Sequence, residues 1–478
     1  MAVLEEINGR TGDRARMTAR QRMVLVLLLG AQFMLAVDFS ILNVALPAVG
    51  DGLGIGLHGL QWVATGFALP AAGLTLLSGR VADLFGRRRM FLTGMALLAV
   101  GSLLGGLAVS PAMLLTGRVL QGVATAISTP AALSLLTTSF PEGSLRDRAL
   151  GLNGALMSAG FTAGAVLGGV LTDLLSWRWA FLVNVPIAVL ILAATPKLIA
   201  GGRAARRMRL DIPGALTVTA GLLALVYGVT AAGERGWTAP AALVSLAAAA
   251  ALLVAFWFAE ARSADPLLPV RILRRRTVVW GNAAGLIAFL TETSLVFLMT
   301  LYLQEVLRYS PLATGLAFGV LGAGTVTGGL LGARVIARLG MYRVLVGAFV
   351  VQAVATASLV ALGDAHRWIA LFLAATFVGG VGNMLAIVAF MVTATSGLPD
   401  GEQGLATGLA TMTQQIGITI GIPIMSAIAT ARTGALGGSH TRAEAVLGGV
   451  RLAVLVNAAI VLAGALLTAA FLRRRAAR

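Results

Sequence analysis

Apolar segments long enough to cross a lipid bilayer recur along almost the whole chain. A helix needs about 20 predominantly apolar residues to span the hydrocarbon core of a membrane. The fourteen predicted segments are Met23–Leu46, Leu60–Leu77, Met90–Val109, Met113–Leu136, Ala149–Leu175, Trp179–Leu198, Ile212–Ala232, Ala239–Ala259, Val278–Leu303, Leu312–Ala333, Met341–Leu362, Trp368–Thr395, Leu405–Thr430 and Val450–Leu472. Because backbone polar groups in lipid must be satisfied within the segment, these segments are expected to be helices. The predicted fold class is therefore an all-α polytopic membrane protein.

The composition agrees with lipid as the main solvent of this surface. Hydrophobic residues make up 58% of the chain and charged residues only 12%, with a mean hydropathy of +0.91. Soluble domains carry roughly 25% charged residues. The chain has no cysteine, which excludes disulfides, thiol nucleophiles and thiolate metal sites, and its three histidines fall in or beside predicted loops. No metal or other cofactor is therefore expected.

The positions of the basic residues predict the membrane topology of the chain. Of the 36 lysines and arginines, 28 fall on one side of the predicted membrane if the N-terminus is cytoplasmic. Positive charge concentrates in cytoplasmic loops, so both termini are predicted to be cytoplasmic. The net charge of +17 is dispersed over these short loops, which indicates membrane topology and argues against nucleic-acid binding. The first apolar segment lacks a small-residue cleavage site, so no removable signal peptide is expected.

Two arginine-rich stretches divide the chain. They lie at Lys197–Arg209 and Arg262–Arg276 and bracket two apolar segments with few other features. The predicted organisation is a cytoplasmic segment at 1–22, a six-helix half at 23–198, a linker with two inserted helices at 199–262, a second six-helix half at 263–472 and a cytoplasmic tail at 473–478.

Three ionisable residues fall inside the predicted segments: Asp38, Arg118 and Glu292. Each costs roughly 2.5–3.5 kcal/mol to insert in a membrane, so such residues are functional candidates. Asp38 and Arg118 lie at similar predicted depths, ~12 Å and ~8 Å from the external end of their helices. They are expected to form either a structural salt bridge or a switch in which a proton or a cationic substrate competes for the carboxylate. Glu292 lies near the predicted midplane, either as a proton or cation site or as a protonated packing residue.

Glycines repeat at helical spacing in the fifth segment, at Gly160, Gly164, Gly168 and the adjacent Gly169. Small residues on one face let helices approach closely in lipid. The stripe predicts either simple packing or helices that slide against each other during transport.

Polar, aromatic and methionine side chains are also candidates for a loosely shaped binding cavity, although each is individually more common in packing. The predicted substrate-binding residues are Gln32, Phe33, Trp62, Asn153, Met157, Phe289, Phe297, Asn383, Gln414 and Gln415. The adjacent amides of Gln414 and Gln415 need polar partners or cavity water in a membrane helix.

Several motifs resemble those of the major facilitator superfamily. The loop at residues 79–88 reads GRVADLFGRR and resembles its signature cytoplasmic loop. The fourth segment, with Leu114, Arg118, Gln121, Gly122 and Ala126, resembles its second motif. The stretches VDFSILNVALP (37–47), WRWAFLVNVP (177–186) and LQEVLRYSP (303–311) are similar to the fourteen-helix drug:proton antiporter branch. One departure is Ala165, which stands where the glycine motif of exporters usually has a proline.

The resemblance implies a major facilitator fold of two six-helix halves plus two inserted helices. It implies a gating loop formed by Gly79, Asp83, Gly86, Arg87 and Arg88. In the family, the aspartate of this loop contacts the cytoplasmic start of a helix in the second half, for which the helix beginning near Gly404 is the candidate. A carboxylate is favourable at a helix N-terminus.

The function expected from these features is proton-coupled export of drugs, antibiotics or other small lipophilic or cationic compounds by alternating access. The alternative is a proton-coupled exporter or permease of one metabolite, such as an amino acid, a siderophore or a self-made antibiotic. A membrane enzyme would need a convergent cluster of catalytic groups, which the sequence does not contain. The chain also has no ATP-binding P-loop, so it is not expected to be an ATPase. A passive channel would not need Asp38 and Glu292 in separate halves. The expected location is the bacterial plasma membrane, with protons, a small-molecule substrate and lipid as partners and a monomer as the working unit.

Overall fold

The structure, a computed structural model, describes residues 17–140, 144–200, 211–263, 270–273, 275–396, 400–437 and 441–472. Within these ranges the chain is helical and contains no β-strand. The long helices are α1 (Ala19–Leu53), α2 (Leu57–Phe85), α3 (Arg87–Gly106), α4 (Pro111–Ser139), α5 (Ser144–Leu174), α6 (Trp179–Leu198), α7 (Ile212–Arg235), α8 (Pro240–Arg262), α9 (Arg276–Leu301), α10 (Pro311–Leu339), α11 (Met341–Ser358), α12 (Ile369–Thr395), α13 (Asp400–Leu436) and α14 (Arg442–Leu472). A π-helical turn at Tyr302–Val306 continues α9.

Twelve helices among the described residues are long and apolar enough to cross a membrane. The other two, α2 and α5, contain shorter described apolar stretches at Trp62–Thr75 and Ala159–Leu174. Several helices extend beyond the predicted apolar segments. For example, α1 runs over Ala19–Leu53, because a capping box formed by Thr18 and Gln21 starts the helix before the predicted segment begins at Met23.

Single glycines make two of the turns between helices. Gly86 ends α2 and precedes α3 with φ 102°, and Gly340 ends α10 and precedes α11 with φ 80°. Each donates its N–H to a carbonyl four residues earlier, that of Ala82 or Ile336. Glycine is favoured here because a Cβ makes positive φ costly. The two turns are 254 positions apart.

The helix packing of α1–α6 is repeated by α9–α14. Helix α1 packs against α4, α5 and α6, and α9 packs in the same way against α12, α13 and α14. Helices α2 and α3 both pack on α4, as α10 and α11 both pack on α12. Helix α3 also contacts α6, and α11 contacts α14. This pattern is that of a parallel structural repeat.

Two pairs of helices join the repeated sets, α5 with α10 and α2 with α13. These pairs are equivalent in the repeat. Helix α7 packs beside the second pair, against α2 and α13, and α8 packs mainly on α7. The two extra helices therefore sit at one of the two seams between the sets.

The buried apolar residues are distributed differently on the two sides of the bundle. We call the side on which α1 begins, and which carries Arg87–Arg89, the arginine-rich side. There, α1–α6 form one core around Phe91, and α9–α12 together with α14 form another around Phe349. On the opposite side one continuous core contains residues of both sets, among them Val44 of the first set and Tyr302 at the end of α9. A hydrogen bond from Gln304 Nε2 to the Val44 carbonyl (3.0 Å) crosses between the sets on this side.

The glycine stripe of α5 lies against α1. A Cβ built on Gly160 would be 2.8 Å from the Phe33 carbonyl oxygen, and one built on Gly164 would be 2.7 Å from that of Val37. Gly168 faces the Ile41 carbonyl in the same way, whereas Gly169 faces Pro311 and Gly315 of α10. The stripe thus packs α5 within its own set and Gly169 packs it across the seam.

Replacing Gly164 with alanine is expected to destabilise the protein by about 1–3 kcal/mol, because the added methyl overpacks the α1–α5 contact. The measurement is the thermal unfolding temperature of the purified protein in detergent. Gly30→Ala is the matched control, since a Cβ at Gly30 meets nothing within 4 Å. Equal unfolding temperatures for the two variants would show that the close approach of α1 and α5 is not under steric constraint.

Candidate functional site

Polar side chains of four helices of the first set, α1, α3, α4 and α6, meet at the buried carboxylate of Asp38. Its side chain is 1% exposed. Asp38 Oδ1 accepts hydrogen bonds from Gln121 Nε2 in α4 (2.8 Å) and from Asn184 Nδ2 in α6. Gln121 Nε2 also donates to Ser102 Oγ in α3 (2.9 Å). Charge-assisted hydrogen bonds of this kind are the means by which a carboxylate is accommodated away from water.

Arg118 of α4 is held mainly by neutral groups. Its Nε donates to the Val63 carbonyl of α2 (3.0 Å) and its Nη1 donates to Gln121 Oε1 (2.9 Å). The guanidinium carbon lies 4.4 Å from the centre of the Phe67 ring. The closest approach to Asp38 is 3.9 Å, from Nη1 to Oδ2, at the outer limit of an ion pair. Arg118 therefore keeps two hydrogen bonds that do not depend on the charge of Asp38.

The second carboxylate oxygen of Asp38 is chemically available. Oδ2 is buried and has no hydrogen-bond partner among the described residues. An unsatisfied buried polar atom costs about 1–3 kcal/mol, more when it is charged. The long contact with Arg118 offsets part of this cost by its charge, and a proton on Oδ2 would remove the charge altogether. The site can therefore hold one proton without breaking a hydrogen bond of Oδ1.

Local sequence explains how these groups meet. Arg118 and Gln121 are three positions apart, so they share one face of α4. Asn184 is the first residue of the longer part of α6, which follows Val183. Sequence reasoning predicted the meeting of Asp38 and Arg118, and the structure brings them together. It did not assign Ser102, Gln121 or Asn184 to the site, although Gln121 and Asn184 stand in the motif stretches.

A cavity lies between the two sets beside this network. Helices α1, α2, α4 and α13 line it, and in this conformation it has room for about one water-sized group. Arg118 lines the cavity together with Asn43, Thr65 and Thr419. Thr419 Oγ1 donates to the Ala68 carbonyl across the seam (3.0 Å). Arg118 is thus shared between the Asp38 network and the cavity.

Glu292 lies in a different cavity, within the second set. It is half-buried on α9, and the cavity around it is lined by α9, α10, α11 and α12. Gln352, Thr356 and Asn383 supply further polar groups to the lining. No cationic side chain is among the described residues that line this cavity.

The predicted substrate-binding residues are dispersed over the bundle. Asn383 lines the Glu292 cavity, and Phe297 lines another cavity with Ser426 and Thr430. The Trp62 ring packs beside Tyr227 of α7 (6.2 Å between ring centres).

The rest of this predicted group lies inside the helices. Phe289 packs edge-on against Phe390. Gln32 is buried in α1, and Phe33, Asn153, Met157, Gln414 and Gln415 are half-buried on α1, α5 and α13.

The predicted gating loop is described in part. Gly86 makes the turn from α2 to α3, Arg87 and Arg88 are half-buried at the start of α3, and Gly79 faces Pro130 of α4 at 3.7 Å from its Cβ position. The Asp83 side chain and the surroundings of Gly404 lie outside the described residues. Within the described part of the chain, no three His, Cys, Asp or Glu side chains are grouped as metal ligands.

Related bacterial proteins match most of the chain. The "Puromycin resistance protein pur8" of Streptomyces alboniger is 38% identical over 422 residues, covering 87% of this chain and 83% of that protein. The "Cephamycin export protein CmcT" of Amycolatopsis lactamdurans is 39% identical over 429 residues, covering 87% and 86%. The "Multidrug resistance protein Stp" of Mycobacterium tuberculosis is 32% identical over 407 residues, covering 84% and 74%.

A solved structure has the same fold. The crystal structure of the human organic anion transporter MFSD10 (TETRAN) superposes with a TM-score of 0.63, covering 95% of this chain and 100% of that chain at 16% identity.

These similarities, with the helices that can span a membrane, identify a multi-pass transporter of the bacterial inner membrane rather than an enzyme. Residues 28–422 match the family described as the Major Facilitator Superfamily. The chain belongs to the major facilitator superfamily.

Proposed function

We propose that this protein is a proton-coupled exporter that expels antibiotics, other drugs or small lipophilic or cationic compounds by alternating access. The observation that carries the proposal is the buried Asp38 carboxylate, which has one oxygen without a hydrogen bond 3.9 Å from Arg118. Intramembrane carboxylates in such positions are typical of proton relays. The names of the relatives, two for resistance and one for export, favour the outward direction.

In the proposed mechanism a proton arrives on Asp38 Oδ2. Neutral Asp38 no longer attracts the Arg118 guanidinium, while Arg118 keeps its hydrogen bonds to Val63 and Gln121. The positive charge of Arg118, which lines the cavity between the sets, is then unbalanced. A cationic substrate is repelled, and the charge attraction between α1 and α4 is lost while the hydrogen bond from Gln121 to Asp38 Oδ1 remains. Deprotonation on the cytoplasmic side restores the pair. Glu292 is the second proton or cation site in this proposal.

The same proposal fixes the topology. The arginine-rich side is cytoplasmic, α2 and α5 cross the membrane with the other twelve helices, and both termini are cytoplasmic. The proposed domains are 1–22, 23–198, 199–262, 263–472 and 473–478. The repeated packing of α1–α6 and α9–α14 supports two halves with α7 and α8 inserted between them. The continuous core on the opposite side corresponds to a state closed to the exterior.

The gating loop is proposed to couple the halves at the cytoplasmic face. Asp83 would contact the start of α13 near Gly404, where the exposed N–H groups of the helix favour a carboxylate. The glycine turn at Gly86 holds the following arginines at the start of α3. The working unit is proposed to be a monomer.

A second candidate is export of one self-made antibiotic. The name of the cephamycin export protein favours it. A specific exporter would move a single compound class, whereas a multidrug exporter would move several unrelated ones.

Asp38→Asn is expected to abolish substrate-driven proton movement. Asparagine still accepts the hydrogen bonds of Gln121 and Asn184 through its carbonyl oxygen, but it carries no exchangeable charge. The measurement is proton flux into proteoliposomes on addition of puromycin, a cephamycin or ethidium. The flux of the variant should fall to that of protein-free liposomes.

The matched control is Asp51→Asn, which removes an exposed carboxylate from the same helix. Its flux should equal that of the wild type. Proton-driven transport that persists in Asp38→Asn would overturn the coupling assignment, and a wild type that moves protons with none of the compounds would overturn the drug-export proposal.

The proposed topology predicts from which side of the membrane single introduced cysteines can be labelled. The chain has no cysteine of its own, so background labelling is absent. Thr238→Cys, between α7 and α8, should react with a membrane-impermeant maleimide in intact cells. Arg89→Cys should react only after the cells are permeabilised. Labelling of Thr238→Cys only after permeabilisation would mean that α7 and α8 do not form a membrane-crossing hairpin.

A further inference from the structure

The cavity around Glu292 is rich in hydrogen-bond acceptors. Gln352 Nε2 donates to Thr291 Oγ1 (3.2 Å), and the Thr291 hydroxyl donates in turn to the Ile287 carbonyl (2.7 Å). Since the Thr291 oxygen must accept from Gln352, the orientation of the Gln352 amide is fixed. Its Oε1 has no partner among the described residues, and the side chain is only 2% exposed.

Asn383 is held in the same manner. Its Nδ2 donates to the Ala288 carbonyl (3.1 Å), an atom that only accepts, so Asn383 Oδ1 is also fixed. This oxygen is likewise buried without a partner in the described part of the chain. Glu292, Gln352 and Asn383 therefore line one cavity with a carboxyl group and two amide oxygens that lack donors.

The repeat relates this cavity to the Asp38 network. The interval of 254 positions that separates the glycine turns also separates Asp38 from Glu292 and Ser102 from Thr356. Between α4 and α12 the interval is 258, which pairs Gly122 with Gly380.

The contacts agree with these intervals. A Cβ on Gly122 would meet the Phe67 carbonyl oxygen, and one on Gly380 would lie 2.8 Å from that of Leu321, which is 254 positions after Phe67. The two sites thus occupy equivalent places in the two halves.

The side chains that fill the first site are missing from the second. By the interval of 258, Arg118 corresponds to Thr376 and Gln121 corresponds to Gly379. Both Thr376 and Gly379 line the Glu292 cavity. The Thr376 hydroxyl donates to a carbonyl of its own helix, that of Phe372 (2.8 Å). Glu292 consequently lacks the guanidinium and the amide that serve Asp38.

We propose that the Glu292 cavity binds the protonated primary amine of a substrate, in the place that Arg118 and Gln121 occupy in the first half. An ammonium group supplies three N–H donors, which match the Glu292 carboxylate, Gln352 Oε1 and Asn383 Oδ1. A proton on Glu292 alone supplies a single donor and leaves the amide oxygens unpaired. This inference rests on the proposed function and names its substrate class.

The apolar part of the lining matches the body of such a substrate. Leu295, Met299, Phe318 and Leu321 surround the polar groups. In the present conformation the cavity has room for about one water-sized group, which is also the size of an ammonium head. Seating the ammonium against the buried amide oxygens and admitting the body both require the helices to part. Asp38, by contrast, is not among the residues that line the cavity beside its network.

The test is calorimetric titration of the purified protein in lipid nanodiscs, with empty nanodiscs as the reference. The probes are naphthylethylamine, its trimethylammonium analogue and naphthylethanol. We expect the primary amine to bind the wild type most tightly. In Glu292→Gln its affinity should fall about tenfold or more, as expected for loss of a charge-assisted hydrogen bond. The matched control is Glu305→Gln, which removes a carboxylate paired with Arg442 at the far end of the same helix.

A second variant, Thr376→Arg, places a cationic side chain in the cavity and should prevent the amine from binding. A cooperative thermal unfolding transition, as in the wild type, shows that this variant is still folded. The proposal is overturned if the amine does not bind the wild type, if the three probes bind equally, or if Glu292→Gln and Glu305→Gln bind the amine alike. Amine binding without any proton flux in proteoliposomes would instead count against the proposed export function and leave this site standing. Proton-coupled export by the wild type, together with unchanged amine affinity in Glu292→Gln, would count against the amine site and leave the proposed export function standing.

Discussion

The arrangement of the first half depends on the need to keep a carboxylate in the middle of a membrane protein. Asp38 is buried, and two amides, from Gln121 and Asn184, donate to one of its oxygens. These bonds tie α1 to α4 and α6, so the desolvation of one charged group constrains the packing of three helices. The glycines of α5 then let it approach α1 closely enough to complete the layer. This packing leaves the other oxygen without a hydrogen-bond partner among the described residues, and that oxygen is the proposed proton site.

The repeat uses one framework for two kinds of polar site. In the first half, Arg118 and Gln121 fill the space beside the carboxylate, and Arg118 also lines the cavity between the sets. In the second half, Thr376 and Gly379 leave a cavity beside Glu292. Neutral side chains hold the second half together there, since Asn457 Nδ2 of α14 donates to the Thr291 carbonyl and to Ser294 Oγ of α9 (both 3.0 Å). The two proposals accordingly place a proton on Asp38 in one half and the amine of a substrate at Glu292 in the other.

The sequence was sufficient to predict the membrane fold and the superfamily, because both depend on local features: apolar length and short motifs. It also predicted the meeting of Asp38 and Arg118, since their similar depths follow from the distance of each residue to the end of its helix. Asn184 and Ser102 were not assigned because their approach to Asp38 depends on how α3 and α6 are rotated, which no local pattern encodes. The cavity beside Glu292 was missed for a related reason. Gly379 is recognised as the equivalent of Gln121 only when the two halves are aligned through their contacts.

The central claim is that Asp38 gains and loses a proton inside its hydrogen-bond network. Infrared difference spectroscopy of the protein in lipid, between alkaline and acidic pH, observes the carbonyl stretch of protonated carboxyl groups directly. The account predicts a titrating carboxyl band of which one component is lost in Asp38→Asn and kept in Asp51→Asn. A difference spectrum that is the same in the wild type and in Asp38→Asn would contradict it.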